Sequence, residues 1–218
     1  RWRACSCCSR GSAGVGSRSS APESGPAESQ SDTAAVVLAA GPGSRFAGST
    51  HKLLAPVRGR PLVWHAVSAA TDAGIGPVIV VTGSVDLAEA LDGLAPIHWA
   101  HNPDYASGLA SSLQVGLTAA DHLGARAVVV APGDQLGVPA SAWQAVGRCT
   151  ERPIAAATFA GERRPPTRLD RSIWSELSRT GDEGARSLFR PRPDLVAEVP
   201  CDGTPHDIDT VEEYRRWT

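Results

Sequence analysis

The chain has 218 residues, a formal net charge of −2, 42% hydrophobic and 20% charged residues. That balance provides no basic field for nucleic acid, and no apolar run reaches the ~18 residues that a membrane span needs. The length suits one globular domain acting on small molecules. A reducing cytoplasm is expected, because the five cysteines form neither a disulfide framework nor a four-ligand zinc pattern.

Arg1 to Thr33 is rich in Ser, Gly, Ala, Pro and Arg and lacks hydrophobic periodicity. Such a stretch cannot bury enough surface to offset its ordering entropy, so a disordered, dispensable tail over residues 1–33 is expected. From Ala34 onward β-branched runs alternate with amphipathic ones. A strand over Ala35 to Ala40 is followed by a helix over Pro61 to Ala73 and a strand over Pro77 to Thr82. A helix over Val85 to Leu91 then precedes a strand over Ile97 to Ala100. Next come a helix over Ala110 to His122, a strand over Ala127 to Ala131, a helix over Pro139 to Arg148 and a strand over Ile154 to Phe159. Helices over Arg171 to Arg179 and Glu183 to Phe189, a strand over Leu195 to Val199 and a helix over Thr210 to Trp217 complete the chain. Alternation of this kind predicts a single three-layer α/β/α domain over residues 34–218, built on a mostly parallel, Rossmann-like sheet. Helix starts are marked by Pro61, by Ser111 and Ser112 as caps, and by Thr210 ahead of Glu212 and Glu213.

The first strand runs into Leu38-Ala39-Ala40-Gly41-Pro42-Gly43-Ser44-Arg45, then a short polar loop and Lys52. Glycines let the backbone approach a ligand, and successive N–H groups in such a loop form an anion-binding concavity. Arg45 and Lys52 add two cations, so the segment reads as a triphosphate cradle. Lys52 is the only lysine among 21 lysines and arginines, in a chain where arginine serves elsewhere. The loop is neither a Walker A motif nor a dinucleotide fingerprint, since the Gly-Lys-Ser/Thr and the third glycine are missing.

Asp134 follows an apolar strand and is therefore expected at the carboxyl end of the sheet, where its hard oxygen suits magnesium bound to phosphates. A simple turn cap is the alternative use of the same residue. Asp207 and Asp209 are two apart in a stretch read as extended, so both face one side, and either completes the metal site; Asp209 also fits as a cap of the last helix. The six histidines, His51 included, show no metal-ligand spacing and read as surface or packing residues.

Five motifs in this order resemble the MobA-like NTP transferases, the molybdopterin nucleotidyltransferases. They are LAAGPGSR with Lys52, the run from Asn102 to Leu113, Gly133-Asp134-Gln135, Gly181 to Arg186, and Asp207 to Thr210. LAAG together with GLASSL is similar to the molybdenum cofactor cytidylyltransferases, which implies CTP. The resemblance implies that Leu38, Ala39, Ala40, Gly41, Gly43, Ser44, Arg45 and Lys52 bind the nucleotide, with Gly108, Ser111 and Ser112 along its base and ribose. It implies Arg45, Lys52 and Asp134 as catalytic residues, Mg2+ on Asp134 and Asp209 with Asp207 as the alternative, and Asp182 and Arg186 toward a molybdopterin-type acceptor. A molybdenum hydroxylase is an implied partner.

The chain departs from the family pattern twice. Leu136-Gly137 follows Gln135 in place of Pro-Leu, and Arg164 to Leu169 stands where a Gly-His-Pro strand is usual. The expected reaction is transfer of CMP to a phosphorylated acceptor with release of pyrophosphate. Two other activities share the resemblance: an NAD(P)H-dependent oxidoreductase of the nicotine blue type, and a non-catalytic nucleotide-binding protein that delivers cofactor to a molybdenum enzyme. Retained Lys52, Asp134 and Asp209 favour the transferase, because hydride transfer needs none of them.

Overall fold

The computed structural model describes residues 32–44, 46, 50–94, 96–189 and 191–217, which fall within the unit Ser31–Thr218. The expected tail lies outside them, apart from Asp32 and Thr33. Thr33 already opens the first strand.

The chain forms β1 (Thr33–Ala39), a short hairpin of β2 (Pro56–Val57) and β3 (Arg60–Pro61), α1 (Leu62–Asp72), β4 (Val78–Thr82) and β5 (Ile97–His101). It continues with α2 (Leu109–His122), β6 (Ala127–Pro132), β7 (Gln135–Leu136), α3 (Ala140–Arg148), β8 (Ile154–Phe159) and β9 (Glu162–Asp170). α4 (Arg186–Phe189), β10 (Val196–Pro200), β11 (His206–Asp207) and α5 (Val211–Arg215) close it. Seven strands make one sheet in the order β10-β8-β9-β6-β1-β4-β5, in which only β9 runs against its neighbours.

The pleat explains the layering. Along β1, Ala35, Val37 and Ala39 pack with α1 and α3 through Val63, Val67 and Trp143. Ala34 and Val36 point the other way, toward Leu113 and Leu117 of α2 and toward Ile173. A strand covered on both faces needs a nearly continuous apolar run, which is what β1, β4 and β6 supply. Each fully buried Val or Leu contributes roughly 1.5–3 kcal/mol to this core.

β9 was not foreseen, because prolines lack the N–H that a ladder needs. Arg163 pairs with Thr158 and Thr167 with Ala156, so Arg164, Pro165 and Pro166 fall where the β8–β9 register shifts. The prolines thus occupy the irregular stretch, and regular pairing resumes from Thr167 to Asp170 against β6. Val85 to Leu91 and Arg171 to Arg179 form only 3-10 turns, at Glu89–Leu91 and Arg171–Glu176. Pro61 is the N-cap of α1, while Gly108, rather than either serine, is the N-cap of α2.

Candidate active site

β1 and β6 are parallel neighbours, with Leu38 opposite Pro132. Their following loops therefore lie side by side at the carboxyl edge of the sheet, the usual place for a ligand in an open α/β fold. Gly133 N–H donates to Leu38 O at 2.8 Å and locks the two loops together.

Of the expected cradle, Ala39 and Ala40 are buried, whereas Gly41 and Ser44 are exposed. Gly43 sits at φ +61°, and a Cβ there would lie 3.0 Å from Lys52 Cβ; glycine is what lets the lysine stem pass beneath the loop. The Arg45 assignment lies outside the described residues. Two loops brace the cradle: Ser84 donates from its backbone to Ala40 O at 3.0 Å and from Oγ to Gly41 O at 2.8 Å. His51, read from sequence as surface or packing, belongs to this brace. Its Nδ1 accepts from Leu53 N–H at 3.2 Å and its Nε2 contacts Ser84 Oγ at 3.2 Å. Burial holds the His51 imidazole below its ordinary range and the nearby Lys52 charge adds to this, against a hydrogen bond with Gly41.

Lys52 is only 8% exposed, so it is no solvated loop cation. Its Nζ donates to Asp134 Oδ2 at 2.5 Å and to Asp209 Oδ1 at 3.0 Å, joining residues from three distant parts of the chain. Burial works against the ammonium, but the two carboxylates outweigh it and push the Lys52 pKa upward. Asp207 joins the same cluster by another route. Its Oδ1 accepts from Gln135 Nε2 at 3.1 Å and its Oδ2 from Arg164 Nη1 at 3.5 Å. Burial and the Asp134 charge raise the Asp207 pKa, against Arg164 and Gln135. Ile208, between the two aspartates, is fully buried with Val57, Leu62 and Leu136, which turns its flanking side chains away from that cluster. β11 pairs with β7, with Asp207 opposite Gln135, and so carries these aspartates to Asp134. Thr210 caps α5 in a capping box with Glu213, whose carboxylate also accepts from Asp209 N–H at 2.9 Å.

The expected base and ribose residues are bonded within the chain's own turn. Ser112 is buried, and Asn102 Nδ2 donates to its Oγ at 3.0 Å and to Ser111 Oγ at 2.9 Å. Ser111 Oγ in turn donates to Gly108 O at 2.8 Å. A Cβ on Gly108, at φ +111°, would lie 2.7 Å from the Gly181 carbonyl and 2.8 Å from Asp182 Oδ1. Gly108 thus makes room for the chain's own turn, and the two serines hold the start of α2 in place. Of the two expected acceptor residues, Asp182 abuts Gly108 and Arg186 lines a cavity of about 300 Å³. Leu38, Leu109, Leu113, Val130, Pro165 and Phe189 give that cavity largely apolar walls. Arg163, Arg164 and Glu183 also border it, and among the described residues Thr167 is its single uncharged polar side chain. Sequence reasoning missed this cavity and Arg164, which lies both on its wall and against Asp207.

A glycine-bearing loop at the carboxyl edge, a buried lysine and two converging carboxylates are together the features of an α/β fold of the nucleotidyltransferase type. The MobA-like NTP transferase domain model matches residues 35–199, and the chain belongs to that family. A nicotine blue oxidoreductase of Paenarthrobacter nicotinovorans is 34% identical over 200 residues, covering 83% of this chain and 94% of that protein. A homologue of Mycobacterium tuberculosis Rv0371c from Mycobacterium sp. strain JC1 superposes with a TM-score of 0.73 at 28% identity, over 86% of this chain and 95% of its own. Rv0371c of Mycobacterium tuberculosis H37Rv, solved in complex with manganese, superposes at 0.67 with 26% identity over 86% and 98%.

Proposed function

We propose that the chain transfers a nucleoside monophosphate, CMP by preference, from its triphosphate to a phosphorylated acceptor of the molybdopterin type. The observation that carries this reading is the Lys52 ammonium held between Asp134 and Asp209, beneath the Gly41–Ser44 loop. An oxygen of the acceptor phosphate attacks the α-phosphorus, and the bond to the β-phosphate oxygen breaks, its electron pair leaving with pyrophosphate. No covalent enzyme intermediate is required, because positioning and charge neutralisation supply the acceleration.

The donor chemistry fits a divalent cation. Two carboxylates already converge on one positive nitrogen, and hard oxygen ligands suit magnesium or manganese. Asp134 and Asp209 would hold it, with Asp207 beside them, and a bound ion would screen the triphosphate charge. Lys52 then turns from the carboxylates to the phosphates, while the loop N–H groups of Gly41, Gly43 and Ser44 orient them.

Pyrophosphate release tests the reading, measured from CTP, GTP, ATP and UTP with magnesium and molybdopterin. Release fastest with CTP and lost in Lys52→Ala and Asp134→Ala is expected. A second reading is favoured by the relative from Paenarthrobacter nicotinovorans, a nicotine blue oxidoreductase. NADH oxidation by a quinone-like dye, without pyrophosphate release from any nucleotide, would replace the transferase with it. Nucleotide binding without either activity would leave a delivery protein.

A further inference from the structure

His51 is held by two neighbours at once, and each contact fixes where its proton lies. The Ser84 hydroxyl has a single proton, which it donates to Gly41 O at 2.8 Å, so at its 3.2 Å contact with His51 Nε2 it accepts. His51 Nδ1 accepts from Leu53 N–H at 3.2 Å and is therefore bare. Both ring nitrogens thus call for the neutral ring protonated on Nε2. Protonation of the ring would put a hydrogen on Nδ1 and break its bond to Leu53.

The two ends of this chain of bonds are the two parts proposed to meet the phosphates. Through Leu53 N–H the ring caps the 3-10 turn Lys52–Leu54, whose first residue is the clamp lysine. Asn, Asp or Ser ordinarily does this work, but none of them carries a group at the distance of Nε2. Through Ser84 the same ring holds the loop after β1. Ser84 N–H donates to Ala40 O at 3.0 Å and Ser84 Oγ to Gly41 O, so two successive carbonyls are tied to one residue. In a trans peptide the C=O and N–H point opposite ways, so holding Ala40 O turns the Gly41 N–H away from Ser84. Gly83 permits this approach, since a Cβ there would lie 2.7 Å from Ala40 O.

We infer that His51 and Ser84 are positioning residues of the nucleotide site: neutral, Nε2-protonated His51 fixes the Ser84 hydroxyl on Gly41 O, and with it the loop amides relative to Lys52. This rests on the nucleotide-binding reading of that loop. Burial lowers the His51 pKa and the Lys52 charge adds to this, against a hydrogen bond with Gly41, which leaves the ring neutral at pH 7. Gly41, Gly43 and Ser84, which the loops after β1 and β4 bring against the ring, carry no charge.

Calorimetric titration of the full chain with CTP and magnesium, without acceptor, reads the loop in the absence of turnover. His51→Asn keeps a cap for Leu53 N–H but cannot reach Ser84, and Ser84→Ala loses the tie to Gly41. Each is expected to weaken CTP binding about five- to tenfold, the size of one hydrogen bond. The double variant should lose no more than the larger single effect, because both substitutions break the same chain. As pH falls from about 7.5 to about 5.5, through the ordinary histidine range and below it, the parent should lose affinity and converge on His51→Asn; the nucleotide's own titration cancels in that comparison. Either single variant within about twofold of the parent, or losses that multiply in the double, would overturn the inference. So would a parent that gains on His51→Asn as pH falls, the mark of a His51 cation meeting phosphate directly. Nitrogen-15 shifts of the His51 ring in the parent give an independent reading: a bare Nδ1 and a protonated Nε2 are expected near neutral pH, and the other tautomer overturns the inference. A parent that shows these dependences yet releases no pyrophosphate with any acceptor overturns only the transferase reading, whereas one that binds no nucleotide overturns both.

Discussion

The two sides of the carboxyl edge are built on opposite plans. On the β1 and β4 side, where the nucleotide is proposed to bind, polar groups are tied to one another: Ser84 to Gly41, His51 to Ser84, Lys52 to two aspartates. Around β9 and α4, by contrast, a largely apolar cavity is bordered by Arg164, whose two pairings are long. A fixed triphosphate geometry rewards the first plan, because preorganised dipoles and charges do not have to reorganise as the reaction proceeds. The second plan selects by shape, because apolar walls leave a few polar groups to set a ligand's orientation.

The largest expected effect falls on the nucleotide side. Asp134→Asn and Lys52→Ala should each lower the transfer rate about a hundred- to a thousandfold, the range for losing one preorganised charge stabiliser. A loss below tenfold in steady-state assays would break the contrast drawn here. Next in size, Lys52→Ala should strengthen Mn2+ binding to the nucleotide-free protein by roughly tenfold. The carboxylates lose a charge-assisted partner worth about 1.5–3 kcal/mol, which a metal must otherwise displace. Paramagnetic resonance of free Mn2+ reads this directly, and unchanged or weaker binding would show that Lys52 does not occupy the metal's place.

Gly108→Ala tests the joint between the two sides. With φ at +111° and the Gly181 carbonyl 2.7 Å from the added methyl, it should destabilise the protein by roughly 1–3 kcal/mol in urea and loosen the cavity wall. Thr210→Ala removes the cap that orients Asp209 and should cost about 1 kcal/mol, with a rise in the metal requirement as its specific signature. The smallest effect is expected at Asp170, at the end of β9 remote from the site. Burial opposes its charge, but hydrogen bonds from Ser172 and the Arg168 charge outweigh this and hold its pKa below the ordinary value. A depressed carboxylate contributes stability that is present above its unfolded pKa of about 3.9 and is lost as pH falls through the folded one. Asp170→Asn should therefore lower Tm slightly at pH 7, converge with the parent in acid, and leave both substrates' binding unchanged.

The loop after β1, Lys52 and Asp134 were legible in the sequence, because each signal is local. A glycine loop after an apolar strand, a solitary lysine and an aspartate after a second strand each carry their own signal. The central strands β1, β4 and β6 were legible for the same reason, being nearly unbroken apolar runs. Ser111 and Ser112 were harder to read, since a hydroxyl near a helix start reads equally as cap, ligand donor or loop tie, and the tie to Asn102 is visible only in three dimensions. β9 and its cavity were not legible. Two prolines argue against a strand until the register shift beside them is visible, and the apolar walls come from six separate elements. Arg164 carries no motif; its place follows from β9 and β11 meeting over Gln135.

The lysine clamp also bears on how the chain becomes active while folding. Lys52 bonds residues 82 and 157 positions away, and the second of these arrives only with the strand pairing of His206–Asp207. Long loop closures of this kind are costly to make early and are rewarded late. A partly folded chain that has already completed its central sheet would still lack one arm of the clamp. Regain of function during refolding would therefore report the docking of the last strand, well after the bulk of secondary structure has formed.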